Sequence, residues 1–303
     1  MVSVLEPCEV DLDGTLTRYL RAGTRGETVV LLHGGTPAGL LRQSAYIWER
    51  NLAALSQDFR VLAPDLLGMG STQGAGDGIR GIEQMTEHAR KFVEAVCPGS
   101  VHLVGHDEGG IIALSLAYAL PTRISSVTLV GSSAAPTGDG IASLELAGYP
   151  CPISNRYGQE WLMERMSFSD AHIGDGLFLG DAVSCAVGGH VDADTEAAMR
   201  ASISRAKSAC FARFREDGFP VPIQLIWGLQ DRIVPIEHAF ALYGLLLEKQ
   251  PSAHLRIINR AGNLVFRERA AEFNGMIRSF VGVESSLSRR RVARAGWQMA
   301  APR

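Results

Sequence analysis

The residues best suited to chemistry are gathered around one aspartate. Asp107 stands in Gly105-His106-Asp107-Glu108-Gly109-Gly110, with glycines two before and two after it. The run entering it, SVHLVGH, reads as an apolar strand, and the run leaving it, IIALSLAYALP, as an apolar helix stopped by Pro121. Glycines at those spacings let strand and helix pass closely through a tight turn, which lifts the central side chain above the sheet edge. A carboxylate presented there can attack a carbon electrophile and form an ester. It can also move protons directly, if burial raises its pKa. The plainer alternative is that Asp107 only caps the following helix.

Such a turn needs a sheet behind it. ETVVLLHGG, FRVLAPDLLG, SVHLVGH and ISSVTLVGSSA are short strands, apolar throughout, as when helices cover both faces of a parallel sheet. IRGIEQMTEHARKFVEAVC has helical spacing and ends before Pro98. Asp11 and Asp13 fall in an early hairpin that precedes the first main strand. From Ala134 to Asp217 strand-like runs stop and helical pieces replace them; VPIQLIWG and AHLRIINRAG then restore the alternation. This predicts an α/β core over 1–133 and 218–285, a helical lid over 134–217 and a basic C-terminal tail over 286–303. The lid segment also fits an ordinary second layer of helices.

Composition narrows the function classes. The 303 residues carry 29 Lys+Arg against 32 Asp+Glu, so bulk charge offers nothing to a nucleic acid. The most apolar run, Ile111 to Leu120, is too short to span a bilayer, and the N-terminus lacks the pattern of a secretory leader. Cys8, Cys97, Cys151, Cys185 and Cys210 are scattered, which predicts free thiols and a cytoplasmic protein. No nucleotide or zinc motif occurs, so neither a cofactor nor a metal is expected. The five arginines of the tail read as a solvated, partly disordered end.

The order strand–HGG, strand–PDLLGMG, GHDEGG, helical block, WGLQD and RAG resembles the α/β-hydrolase superfamily from about Val10 to Val283. Within it, GHDEGG is similar to epoxide hydrolases and dehalogenases, whose nucleophile is Asp. IWGLQDRIVPIEHA and RAGNLVFRERAAEFN look instead like the hydrolases that cleave carbon–carbon bonds in ring-fission products, which use Ser. The resemblance implies an α/β-hydrolase fold: a mostly parallel sheet, helices on both faces and an inserted lid. It implies Asp107 as nucleophile and Asp231 as the acid. Oxyanion support would come from the N–H of Glu108 and one near Gly34 or Gly35, with His33 shaping that turn. Glu108 suits neither halide nor substrate carboxylate, which weighs against a dehalogenase.

The family's base histidine falls on Asn263, and an amide cannot accept a proton near neutral pH. Four readings stay open. The site is a substituted or diverged hydrolase; another histidine, His106 or His190, reaches it; the enzyme is a non-hydrolytic isomerase, cyclase or lyase using Asp107 as acid/base; or the fold serves binding alone. His106 is expected to point away from Asp107. Tyr149 and Tyr157 are candidates for donating to an epoxide oxygen, as lid tyrosines do in epoxide hydrolases. Trp161, Met163, Met166, Phe168 and Phe178 suggest a pocket roof, with His33 and Phe266 as further lining, although their spacing also fits plain packing. The expected partner is a small aromatic or polyketide-like molecule, as in secondary metabolism, with no nucleic acid or membrane; a homodimer remains an option.

Overall fold

The computed structural model describes residues 5–39, 42–72, 78–135, 154–174, 176–187, 192–250 and 252–300, side chains of 176 and 287–300 excepted. The early hairpin forms β1 (Glu6–Leu12) and β2 (Thr15–Ala22), turning through Asp13 and Gly14 at positive φ. The four apolar runs become β3 (Thr28–Leu32), β4 (Arg60–Pro64), β5 (Val101–His106) and β6 (Ile124–Val130). After the helical block come β7 (Ile223–Gly228) and β8 (Ala253–Ile258). All eight join one sheet in the order β1-β2-β4-β3-β5-β6-β7-β8. Pairing is parallel from β4 through β8, and β1 and β2 are antiparallel additions at one edge. β3, β5 and β7 are buried along their whole length, the consequence of helices on both faces.

The helices follow the sequence patterns. They are α1 (Glu49–Leu55), α2 (Ile82–Val96), α3 (Glu108–Ala119), α4 (Arg156–Met166), α5 (Gly176–Ala186), α6 (Ala193–Asp217), α7 (Ile236–Leu247), the short α8 (Val265–Glu268) and α9 (Ala270–Ala300). α3 is apolar on every side because it is enclosed by β3, β5, β6 and the neighbouring helices.

Two expectations need correction. α6 does not sit over the strand ends. It packs along α2 and α3, where Ser202 Oγ accepts from Ile82 N (2.6 Å) and Phe214 meets Tyr118 (6.1 Å between centroids). An apolar stripe on a 25-residue helix finds its largest partner surface on neighbouring helices, so this part of 134–217 is a second layer. Nor does the chain become irregular at 286, because α9 runs on as helix to Ala300. Cys8, Cys97, Cys185 and Cys210 are free thiols; Cys151 lies outside the described residues. Among the described residues no helix is long and apolar enough to cross a membrane.

One buried charge ties α5 and α8 to the start of α1. Arg267 in α8 is fully enclosed, with one guanidinium nitrogen on Glu49 Oε1 (2.7 Å) and the other on Ile47 O (2.9 Å). Its guanidinium also lies 3.5 Å from the centre of the Phe178 ring of α5. Removing the guanidinium strands a buried carboxylate and a carbonyl. Arg267→Ala is expected to lower stability by about 3–5 kcal/mol in urea unfolding, whereas Arg278→Ala, an exposed partner of Asp58, is expected to cost about 1 kcal/mol or less.

Candidate active site

The turn between β5 and α3 is as tight as the glycines predict. A Cβ on Gly105 would lie 2.4 Å from Gly109 O, and one on Gly109 would lie 2.5 Å from the carbonyl oxygens of Leu32 and His33. Only glycine permits that crossing. Between them Asp107 takes φ 49°, ψ −120°, a conformation costing about 1–3 kcal/mol for a residue with a Cβ. Its carboxyl does not cap α3. Oδ1 instead accepts from Ser133 N (3.2 Å), and Asp107 O accepts from Ser132 Oγ (2.7 Å) and Gly110 N (3.0 Å).

Glu108 completes a carboxyl pair. Its side chain turns back so that Oε2 accepts from Gly35 N (2.7 Å), and its carboxyl hydrogen-bonds that of Asp107. Two carboxyl groups approach in this way only if one carries a proton. Burial, the negative charge of Asp107 and that hydrogen bond push Glu108 up to about 8. Burial also raises Asp107, while the bonds from Glu108 and Ser133 work the other way, so the shared proton rests on Glu108. Gly34 N donates to Gln43 Oε1 (3.0 Å). In this state both N–H groups of the Gly34-Gly35 turn therefore meet acceptors of the protein itself.

Asp231 and Asn263 form a second buried cluster. Asp231 follows β7; its Oδ1 accepts from Ile233 N and Val234 N (both 2.9 Å), and its Oδ2 from Asn263 Nδ2 (3.0 Å). Burial pushes Asp231 up to about 7 against those bonds. The other amide hydrogen of Asn263 goes to Gly131 O (3.0 Å), which leaves Oδ1 to accept from His106 Nε2 (2.8 Å). That bond sets the tautomer with the proton on Nε2. Burial holds His106 at about 4, hence neutral, and its ring is walled in by Phe266 (4.9 Å) and Trp48 (6.5 Å between centroids). His106 Nε2 points toward Asn263. Both side-chain amide hydrogens of Asn263 are taken, by Asp231 and Gly131, and its Oδ1 accepts from His106.

Other expected residues fall differently. His33 is fully buried, with Nδ1 on Gly34 O (2.8 Å) and Nε2 accepting from Leu66 N (3.0 Å). Both ring nitrogens are spent on the turn, so His33 shapes it and does not line a pocket. Phe266 is likewise wholly enclosed, as a wall of His106. Tyr157 is 76% exposed in the first turn of α4, so its phenol is left outside the buried carboxyls; Tyr149 and His190 lie outside the described residues. Trp161 is only half-buried, under the Arg165 guanidinium (5.2 Å), and Phe168 is 48% exposed. Met166 and Phe178 do line a narrow hollow of about 20 Å³, with Met163, Ile47, Leu264 and the polar Gln43, Ser44, Gln159 and Asp181. Gln43 is common to this cavity and the Gly34 turn. Sequence patterning missed Gln43, Asp181 and the Glu108 side chain. Only Glu108, adjacent to Asp107, carried a signal, because a second carboxylate beside a buried one must share its proton. Among the described residues no group of His, Cys, Asp and Glu could hold a metal ion.

These raised pKa values make stability depend on pH. An acid raised from 4.5 unfolded to about 8 folded keeps its proton longer in the folded state, so its contribution is full below about pH 4.5 and lost as pH rises through 8. Glu108→Gln keeps an acceptor for Gly35 and a donor for Asp107 without a titrating proton. The melting temperature of the native chain is expected to fall between pH 5 and pH 9, and that of Glu108→Gln to fall less; equal slopes in differential scanning fluorimetry would exclude the shared proton.

Residues 29–275 match the model of the "Alpha/beta hydrolase family". Over 296 residues, 92% of each chain, the sequence is 26% identical to a 2-hydroxy-6-oxo-6-(2'-aminophenyl)hexa-2,4-dienoic acid hydrolase from Metapseudomonas resinovorans. It is 29% identical over 280 residues (90% of this chain, 68% of the other) to the dihydrolipoyllysine-residue acetyltransferase component of the acetoin cleaving system of Cupriavidus necator. Its fold resembles that of a 2-hydroxy-6-oxo-6-phenylhexa-2,4-dienoate hydrolase from Rhodococcus sp., with a TM-score of 0.73 at 23% identity, covering 92% of this chain and 99% of the other. With its parallel sheet, its strand-to-helix turn at Asp107 and a family match over most of its length, the chain belongs to the alpha/beta hydrolase family and is an enzyme of that fold.

Proposed function

We propose that the protein is a cofactor-free hydrolase of a small apolar or aromatic molecule, with Asp107 as nucleophile and an epoxide as the substrate class. The placement of Asp107 carries this reading. It is a buried carboxyl at the strand-to-helix turn, unused as a helix cap and held by Ser133 N–H and Glu108. A carboxylate in that position is suited to displacement at carbon, giving an ester. The hollow that shares Gln43 with the Gly34 turn is faced by Met163, Met166 and Phe178, which favours an apolar substrate body. Relatives named as hydrolases of aryl-substituted hexadienoic acids support the same size and character of substrate.

A second reading is proton transfer without an ester, as in an isomerase, cyclase or lyase. It is favoured by the commitment of Asn263 to Asp231, Gly131 and His106, an amide that cannot take a proton from water. Styrene oxide separates the two. Under the hydrolase reading the native chain yields phenylethanediol, Asp107→Asn loses about a thousand-fold or more in rate, and quenched protein carries an ester mapped to Asp107 by peptide mass spectrometry. Diol formation that survives in Asp107→Asn, or complete inertness toward the epoxide, would sink the nucleophile assignment.

A further inference from the structure

An Asp-nucleophile hydrolase needs two proton transfers beyond the attack itself. An acid must protonate the opening oxygen, and a base must then activate the water that hydrolyses the ester. Of the expected residues, Tyr157 is out at the surface, Asn263 is committed to Asp231, Gly131 and His106, and Tyr149 and His190 lie outside the described residues. The residue next to Asp107 holds a transferable proton. Glu108 is hydrogen-bonded to the Asp107 carboxyl, anchored through Oε2 by Gly35 N, and only half-buried, whereas Asp107, Asp231 and Asn263 are almost wholly enclosed.

We propose that Glu108 is a catalytic acid and base that performs both transfers. This rests on the Asp107-nucleophile reading above. In the first step an Asp107 oxygen forms a bond to an epoxide carbon, the carbon–oxygen bond breaks, and the departing oxygen takes the Glu108 proton. The site then holds an ester on Asp107 and an ionised Glu108. In the second step Glu108 removes a proton from water as its oxygen adds to the ester carbonyl, with Ser133 N–H, 3.2 Å from Oδ1, facing the new negative charge. Collapse breaks the bond to the alcohol oxygen, which takes the proton back from Glu108. Asp107 is left protonated and Glu108 ionised, and one transfer across their hydrogen bond restores the resting pair.

The logic is that of one carboxyl alternating between acid and base, and it requires a pKa near the working pH. Burial and the adjacent Asp107 charge place Glu108 at about 8. Among the described residues the other titratable groups that act on the pair are His106, held neutral by burial, and Asp231, raised to about 7.

The test uses the full chain with styrene oxide and with benzyl bromide, whose bromide leaves without a proton. Glu108→Gln is expected to open styrene oxide about a hundred-fold more slowly and to lose the decline in rate that the native chain shows on the alkaline side. With benzyl bromide the same variant is expected to alkylate Asp107 at close to the native rate but to keep the ester, while the native chain releases benzyl alcohol. Formate is expected to restore ester release to Glu108→Ala. If Glu108→Gln turns over styrene oxide and sheds the ester like the native chain, Glu108 has neither role, and Asp107 remains the nucleophile. If the native chain forms neither diol nor adduct and matches Asp107→Asn, the nucleophile reading falls and this proposal with it. Lowered melting temperatures in both Glu108 variants without formate rescue would assign Glu108 to folding alone and overturn the proposal.

Discussion

The approach of α3 to the ends of β3 and β5 constrains everything above it. The chain must leave a buried parallel strand, reverse, and enter a buried helix within one residue, and the backbones at Gly105 and Gly109 come too close for any side chain. The residue caught between them cannot relax into an ordinary helical or extended conformation. Asp107 therefore stands above the sheet edge in a strained conformation, held from behind by Ser132 and Gly110. The rigidity comes from packing: α3 is enclosed on all sides, so the turn cannot open without exposing its apolar residues.

Placing that turn in an apolar interior has an electrostatic consequence. Asp107, Glu108 and Asp231 are all pushed above the ordinary carboxylate range, chiefly by loss of solvent, while His106 and His33 are pushed below theirs. Among the described residues no cationic side chain bonds either carboxyl of the pair. Its protons are instead shared, most directly between Asp107 and Glu108, and the backbone N–H groups of Gly35 and Ser133 supply the compensating polarity. A pair of this kind exchanges a proton at little cost, because the low dielectric penalises two charges far more than one.

Asn263 closes the second buried network. An imidazole at this place would have one nitrogen for Asp231 and one to offer elsewhere. The amide has two hydrogens and one acceptor, and all are taken up by Asp231, Gly131 and His106. The result is a closed, neutral brace that fixes the loop after β8 against β6 and β7, with Asn263 N bonded to Met166 O at the end of α4. Geometry that elsewhere relays protons is here committed to holding shape.

Period and punctuation in the sequence determined much of this molecule. Apolar runs of strand length, bounded by glycine or proline and alternating with helical spacing, dictate a layered parallel sheet, and the glycines around Asp107 dictate its turn, because these signals are local and steric. That residue 263 is an amide, unable to take up a proton near neutral pH, was equally legible, since that is a property of residue type. Tertiary structure alone decided which way side chains turn. It set α6 against α2 and α3, put Tyr157 at the surface, spent both nitrogens of His33 on one loop and folded Glu108 back onto Gly35 and Asp107. These outcomes depend on which distant segments fold against one another, as Leu66 does beside His33 and Gly35 beside Glu108, and no local pattern encodes that approach.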